Sequence, residues 1–129
     1  MLLSFSLHRG IMLCNAVLFH QGAWIIAENV VIDPGASYTI MHPKLIQFLG
    51  ISVDTSQRIK TTSVSGSVEY PKIQLDQIGV ENVSVRNVET LVGSVPKELE
   101  IQGIIGYTFL KHFDYCVCYQ RQEIVLTPI

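Results

Sequence analysis

The apolar run Val30-Val31-Ile32, followed directly by Asp33-Pro34-Gly35, is the feature that most constrains the fold of this chain. Three consecutive β-branched residues favour a strand, and the proline and glycine after them favour a turn. A second apolar pair closed by glycine, Ile104-Ile105-Gly106, follows much later. We therefore expect two apolar strands that end in tight turns, with one aspartate at the end of the first.

The rest of the chain also has the apolar–polar alternation and the turn residues of a β-protein. Apart from the strand ends above, the predicted strands cover residues 11–19 and 23–32 (one hairpin), 58–70 (a polar hairpin), 73–78, 83–92 and 115–126. Short helices are predicted at 43–49, before a glycine, and at 107–113. The fold class is therefore predicted to be all-β with one or two short helices.

The length and composition indicate one domain with an unusually apolar surface or core. The 129 residues suffice for one hydrophobic core, so we expect a single domain, residues 1–129. Hydrophobic residues make up 48% of the chain and charged residues only 16%. This excess indicates a buried subunit interface, with a well-filled β core as the alternative.

Charge and cysteine content exclude several classes of partner. The net charge is −2 and the nine basic residues are scattered, so we expect no nucleic acid partner. No apolar stretch is long enough for a membrane-spanning helix, and we expect no membrane partner. The three cysteines, Cys14, Cys116 and Cys118, cannot form a closed disulfide set, which favours the cytoplasm. No cofactor is indicated.

The residues that could bind metal have simpler explanations. Cys116 and Cys118 lie two apart in a strand and share a face, but a zinc site needs two more ligands close by. Only His112 and Cys14 are available, so we predict small buried apolar residues and no metal site. His42, just before the helix-starting Pro43, is predicted to be a helix cap or a solvated surface residue rather than a catalytic group.

Two segments resemble the active-site half of retropepsin-like aspartic proteases. Residues 32–37, Ile-Asp-Pro-Gly-Ala-Ser, are similar to the family's hydrophobic-Asp-Thr-Gly-Ala-Ser motif. Residues 101–110, with Ile104-Ile105-Gly106, are similar to its apolar-apolar-glycine strand, which passes behind the aspartate loop and leads into a helix. Residues 59–68 lie where the family has its substrate-covering flap. The likeness covers roughly residues 11–129 and implies a closed retropepsin-like β barrel.

The resemblance also implies a role for each matching residue. Asp33 is the expected catalytic residue, and the chain has a single Asp-x-Gly, so two chains must form a homodimer to pair two aspartates. The paired carboxylates would share a proton and activate a water that hydrolyses a peptide or protein substrate. The remaining expected site residues are the active-site loop Pro34, Gly35, Ala36 and Ser37, the flap residues Ser65, Gly66 and Ser67, and the supporting strand Ile104, Ile105 and Gly106.

Pro34 departs from the family pattern, which has threonine or serine at this position. In the family, that hydroxyl hydrogen-bonds to the other subunit's loop, whereas proline has neither a hydroxyl nor an N–H. One alternative is therefore a catalytically inactive retropepsin-like dimer that binds a peptide or protein partner. Another is an ordinary β domain in which Asp33 is a turn residue at a strand end.

Overall fold

The structure, a computed structural model, describes residues 1–95 and 97–129. Within these ranges every helix is too short or too polar to cross a bilayer. The strands are β1 (Leu2–Ser4), β2 (Ser6–His8), β3 (Ile11–His20), β4 (Ala23–Ile32), β5 (Thr39–Met41), β6 (Arg58–Ser63), β7 (Gly66–Val80), β8 (Val83–Val92), β9 (Gly103–Ile105), β10 (Phe113–Cys118) and β11 (Glu123–Pro128). The helices are α1 (Pro43–Phe48), α2 (Tyr107–Leu110) and a 3-10 turn at Glu98–Glu100.

Six of these strands close into a barrel. Their order is β3-β4-β9-β5-β8-β7, and β7 pairs with β3 to complete the ring. β2 and β6 extend the sheet outside the ring, on β3 and β7 respectively. A separate three-stranded sheet, β1-β11-β10, joins the two ends of the described chain. The predicted all-β fold, a closed barrel with short helices, is therefore confirmed.

The first hairpin shows how the sequence pattern fills the barrel. Gln21 and Gly22 form its turn, both with positive φ, and Leu18 pairs with Ile25 across the strands. Along β3 and β4, alternate apolar side chains point inward, and Leu18 and Val30 are completely buried. Each such side chain contributes about 1.5–3 kcal/mol to folding. The predicted hairpin over 11–19 and 23–32 is confirmed.

His42 begins α1 in the way the sequence predicts. Its backbone is extended, and its Nδ1 accepts a hydrogen bond from the Lys44 N–H at 3.1 Å. Pro43 occupies the first helical turn, where a missing N–H costs nothing. Gly50, with a φ of +75°, follows the end of the helix. Of the two roles expected for His42, capping and surface solvation, the structure shows capping.

Two predictions near the C-terminus were wrong. The helix over 107–113 ends at Leu110, because Phe113 already pairs with Pro128 as the first residue of β10. Cys116 is exposed and Cys118 only half-buried, so neither is a buried core residue. The β1-β11-β10 sheet covers the barrel with one face, and Cys116 lies on the other face beside Val125.

Candidate active site

Asp33 stands at the end of β4, where a third strand fixes the chain. β4 and β5 flank the Asp33 loop (residues 33–37) but do not pair with each other. β9 lies between them, parallel to β4, with Ile105 opposite Ile32, and antiparallel to β5, with Ile104 opposite Ile40. The N–H of Asp33 donates to the carbonyl oxygen of Ile105 at 2.9 Å. The backbone N–H of Asp33 is therefore held by the segment Ile104-Ile105-Gly106, through the carbonyl oxygen of Ile105.

The loop itself is a β-turn that suits Pro34. The Ala36 N–H donates to the Asp33 carbonyl oxygen at 3.1 Å, which closes a turn with Pro34 as its second residue. Proline is favoured there, because its φ is preset and that N–H takes no part in the turn. The Gly35 N–H donates to Asp33 Oδ1 at 3.0 Å. Pro34 therefore fits the loop within one chain.

Gly106 lies where two backbone carbonyl groups approach too closely for any side chain. A Cβ at this position would overlap the carbonyl oxygen of Tyr38 and lie 2.7 Å from that of Ala36. The next residue, Tyr107, donates its N–H to the same Ala36 oxygen at 2.8 Å. Glycine is required here because there is no space for a side chain. This close approach places the start of α2 against the Asp33 loop.

Two buried threonines behind the loop were not predicted. Thr39 Oγ1 accepts from the Gly106 N–H at 3.2 Å, and Thr108 Oγ1 accepts from the Thr39 N–H at 3.0 Å. A weak signal was present, since both are polar residues inside apolar segments, Tyr38–Met41 and α2. The sequence could not indicate that these segments meet.

The surroundings of Asp33 leave its carboxylate without a cationic partner. In the described part of the chain, the ion pairs use the carboxylates of Asp76, Glu89 and Glu123 instead. Asp33 is half-buried, and a cleft of about 480 Å³ lies beside its loop. Pro34 to Tyr38, Glu89, Tyr107, Thr108 and Lys111 line this cleft. The outer surface of the loop is therefore accessible.

The predicted flap residues form a separate, exposed group. β6 and the first part of β7 make a hairpin (residues 58–70, the flap hairpin) in which Ser63 pairs with Gly66. Val64 and Ser65 form its tip, and Gly66, with a φ of +123°, starts the return strand, followed by Ser67. The hydroxyl groups of Ser63 and Ser65 lie 2.9 Å apart. The structure thus places Ser65, Gly66 and Ser67 together, but bonded within their own hairpin.

No group of three or more His, Cys, Asp or Glu side chains within the described ranges could hold a metal ion. Cys14 lies in a different groove of about 530 Å³ that includes no residue of the Asp33 loop. Burial raises the pKa of the Cys14 thiol to about 12, and the nearby Glu81 carboxylate adds to this shift. Cys14 is therefore a neutral thiol at neutral pH, unsuited to nucleophilic or metal chemistry.

The barrel with its aspartate loop has a retropepsin-like fold. The crystal structure of a retropepsin-like aspartic protease from Rickettsia conorii matches with a TM-score of 0.63 at 18% identity, over 96% of this chain and 95% of that one. A family model described as "gag-polyprotein putative aspartyl protease" matches residues 27–112, more than half of the sequence. The chain belongs to this aspartyl protease family. No curated protein sequence matches the chain.

Proposed function

We propose that this protein is an aspartic-type endopeptidase that acts as a homodimer, with one Asp33 contributed by each subunit. The observation that carries the proposal is the placement of Asp33. It ends a barrel strand in the chain's single Asp-x-Gly, it is held by β9, and no cation in the described ranges pairs with it. Family membership supports the same reaction class.

Two carboxylates about 3 Å apart cannot both be ionised, so the pair holds one proton between base and acid. The ionised Asp33 removes a proton from a water molecule, whose oxygen attacks the peptide carbonyl carbon. The protonated Asp33 of the other subunit gives its proton to the carbonyl oxygen. As the tetrahedral intermediate collapses, the first carboxyl protonates the leaving nitrogen and the second takes a hydroxyl proton, which restores the starting state.

The other predicted site residues have supporting roles in this proposal. The Gly35 N–H donates to Asp33 Oδ1, and the Ala36 carbonyl oxygen accepts from the Tyr107 N–H, so the loop keeps one shape while charge moves. Ser37 continues the loop at the surface. The flap hairpin, with Ser65, Gly66 and Ser67 at its tip, would cover an extended peptide lying across the two Asp33 residues.

A peptide-cleavage assay with matched variants tests the catalytic role. The wild type, Asp33→Asn and Asp114→Asn would be incubated with a mixed peptide library between about pH 4 and 7. Asp114 is an exposed strand residue, so Asp114→Asn serves as a control with the same chemical change outside the Asp33 loop. We expect Asp33→Asn to lower cleavage by roughly 10²–10⁴-fold or more and Asp114→Asn to leave it unchanged. Unchanged cleavage by Asp33→Asn would remove Asp33 from the reaction.

A mixing experiment tests whether the active unit needs two aspartates. Wild-type and Asp33→Asn chains are combined at a constant total concentration and allowed to exchange subunits. If both aspartates are required, equal mixing leaves only about a quarter of the dimers active, because chains pair at random. A fall to only one half would mean that each chain acts alone.

The alternative is a non-catalytic dimer that binds a peptide or protein partner. Pro34 favours it, because a proline cannot supply the hydroxyl through which the family joins its two loops. Wild-type protein that is dimeric and binds library peptides without cleaving them would select this function.

We further propose that each subunit of the active homodimer is a single domain, residues 1–129, and that the protein works in the cytoplasm. The three free cysteines support a reducing compartment.

A further inference from the structure

Buried polar side chains are concentrated behind the Asp33 loop. Among residues 1–95 and 97–129, the buried polar or charged side chains are Thr39 and Thr90 at 0% exposure and Thr108 at 5%. Thr39 and Thr90 are partners in the β5–β8 pairing, and Thr108 bonds to Thr39. A buried hydroxyl is costly unless it is hydrogen-bonded, so a cluster of three in an otherwise apolar core requires an explanation.

Two of these hydroxyl groups complete a regular set of contacts. Four consecutive residues, 105–108, here called the backing segment, contact the chain at positions 33, 36 and 39. Ile105 accepts from Asp33, and Tyr107 donates to Ala36, through backbone atoms. Between and after them, Gly106 donates to Thr39 Oγ1 and Thr108 Oγ1 accepts from the Thr39 N–H. The side chains of Thr39 and Thr108 therefore supply the two contacts that backbone pairing does not.

We propose that Thr39 and Thr108 are positioning residues that fix the Asp33 carboxylate through the backing segment. This inference rests on the proposed peptidase function. The hydroxyl of Thr39 accepts from the Gly106 N–H and so fixes the position of Gly106. The neighbouring residue, Ile105, accepts from the Asp33 N–H. The hydroxyl of Thr108 accepts from the N–H of Thr39, the first residue of β5, and so joins β5 to α2. The chain is therefore bonded to the same four residues, 105–108, both at the start of the Asp33 loop and after it.

Thr90 provides a matched control within the same cluster. It is as buried as Thr39 and also lies on a barrel strand, but its hydroxyl donates to the Val88 carbonyl oxygen of its own strand at 3.0 Å. Replacing it by valine removes a buried hydroxyl whose hydrogen bond goes to its own strand and not to the backing segment. An effect that is specific to positioning should therefore appear in the valine variants of Thr39 and Thr108 but not in that of Thr90.

The test compares Thr39→Val, Thr108→Val and Thr90→Val, with Thr39→Ser and Thr108→Ser as variants that keep the hydroxyl. Amide hydrogen exchange of the 129-residue chain is the first readout. We expect the Gly106 and Asp33 amides to exchange about tenfold faster or more in Thr39→Val, and the Thr39 and Asp33 amides in Thr108→Val. Amides of the β3–β4 hairpin should be unchanged, which separates a local effect from general destabilisation.

The second readout is peptide cleavage. We expect kcat to fall about tenfold or more in both valine variants with KM nearly unchanged, and serine to restore it, because a displaced carboxylate weakens the chemical step rather than binding. The inference is overturned if Thr39→Val and Thr108→Val match Thr90→Val in amide exchange. It is also overturned if all three valine variants lose kcat equally.

Two further outcomes are decided by the same measurements. If Thr39→Val does not fold, Thr108→Val against Thr108→Ser carries the test with the same criteria. If the wild type cleaves nothing, the proposed function fails on that result alone. The amide exchange then decides separately whether the threonines hold the loop: faster exchange confined to the backing segment and Asp33 supports this, and uniform exchange contradicts it.

Discussion

The Asp33 loop and the flap hairpin are both turns between strands, yet they are held in opposite ways. The loop bonds to residues far away in sequence: the Asp33 N–H donates to the Ile105 carbonyl oxygen, and the Ala36 carbonyl oxygen accepts from the Tyr107 N–H. The flap hairpin bonds within itself, as in Thr62 with Ser67 and Ser63 with Ser65, and all of these side chains are exposed. The contrast indicates one region that is fixed by the core and another that can open locally at low cost.

The glycine in each region shows the same difference. Gly106 is required because carbonyl oxygens of Tyr38 and Ala36 occupy the space of a side chain. At Gly66, a Cβ would point into open space, with no atom of the described residues within 4 Å, but the φ of +123° is one that other residues rarely adopt. Alanine should therefore act through lack of space at Gly106 and through backbone strain at Gly66.

The largest effect is expected from Gly106→Ala. The new Cβ must displace backbone rather than a flexible side chain, so the free energy of unfolding should fall by about 3 kcal/mol or more. Denaturant unfolding measures this change. A loss below about 1 kcal/mol would mean that the backing segment moves away easily, and that the loop is not fixed as described.

Pro34→Thr should have the next largest effect, on dimer affinity. In the proposed dimer, the added hydroxyl can bond to the other subunit's loop, and two such bonds at about 1 kcal/mol each would tighten the dimer roughly thirtyfold. Pro34→Ala is the matched control, since it removes proline without adding a hydroxyl. Sedimentation equilibrium of both variants decides, and equal dimer Kd values for the two would show that Pro34 does not limit association.

Gly66→Ala should have the smallest effect. Backbone strain at positive φ should lower the free energy of unfolding by about 1 kcal/mol, because the exposed hairpin can relax around the new methyl group. The amide exchange of Asp33 should stay as in the wild type. Faster exchange of the Asp33 amide in Gly66→Ala than in the wild type would contradict the separation of the two regions.

The sequence predicted the features that depend on local patterns. The β3–β4 hairpin, the strand end at Asp33 and the cap at His42 follow from alternation and turn chemistry within a few residues. The family resemblance added the meeting of Ile105 with the Asp33 loop, which no local pattern contains. The short α2, the exposure of Cys116 and the buried hydroxyl of Thr39 depend on which strands pair across the fold, so they could not be predicted.

The central claim is that two Asp33 loops meet to form one reaction centre. A crystal structure of the wild-type protein in its solution oligomeric state measures this directly, as the distance between the two Asp33 carboxylates. The account predicts a two-fold dimer with carboxylate oxygens about 3 Å apart, close enough to share one proton. A monomer, or a dimer in which the two carboxylates lie well beyond hydrogen-bonding distance, would contradict it.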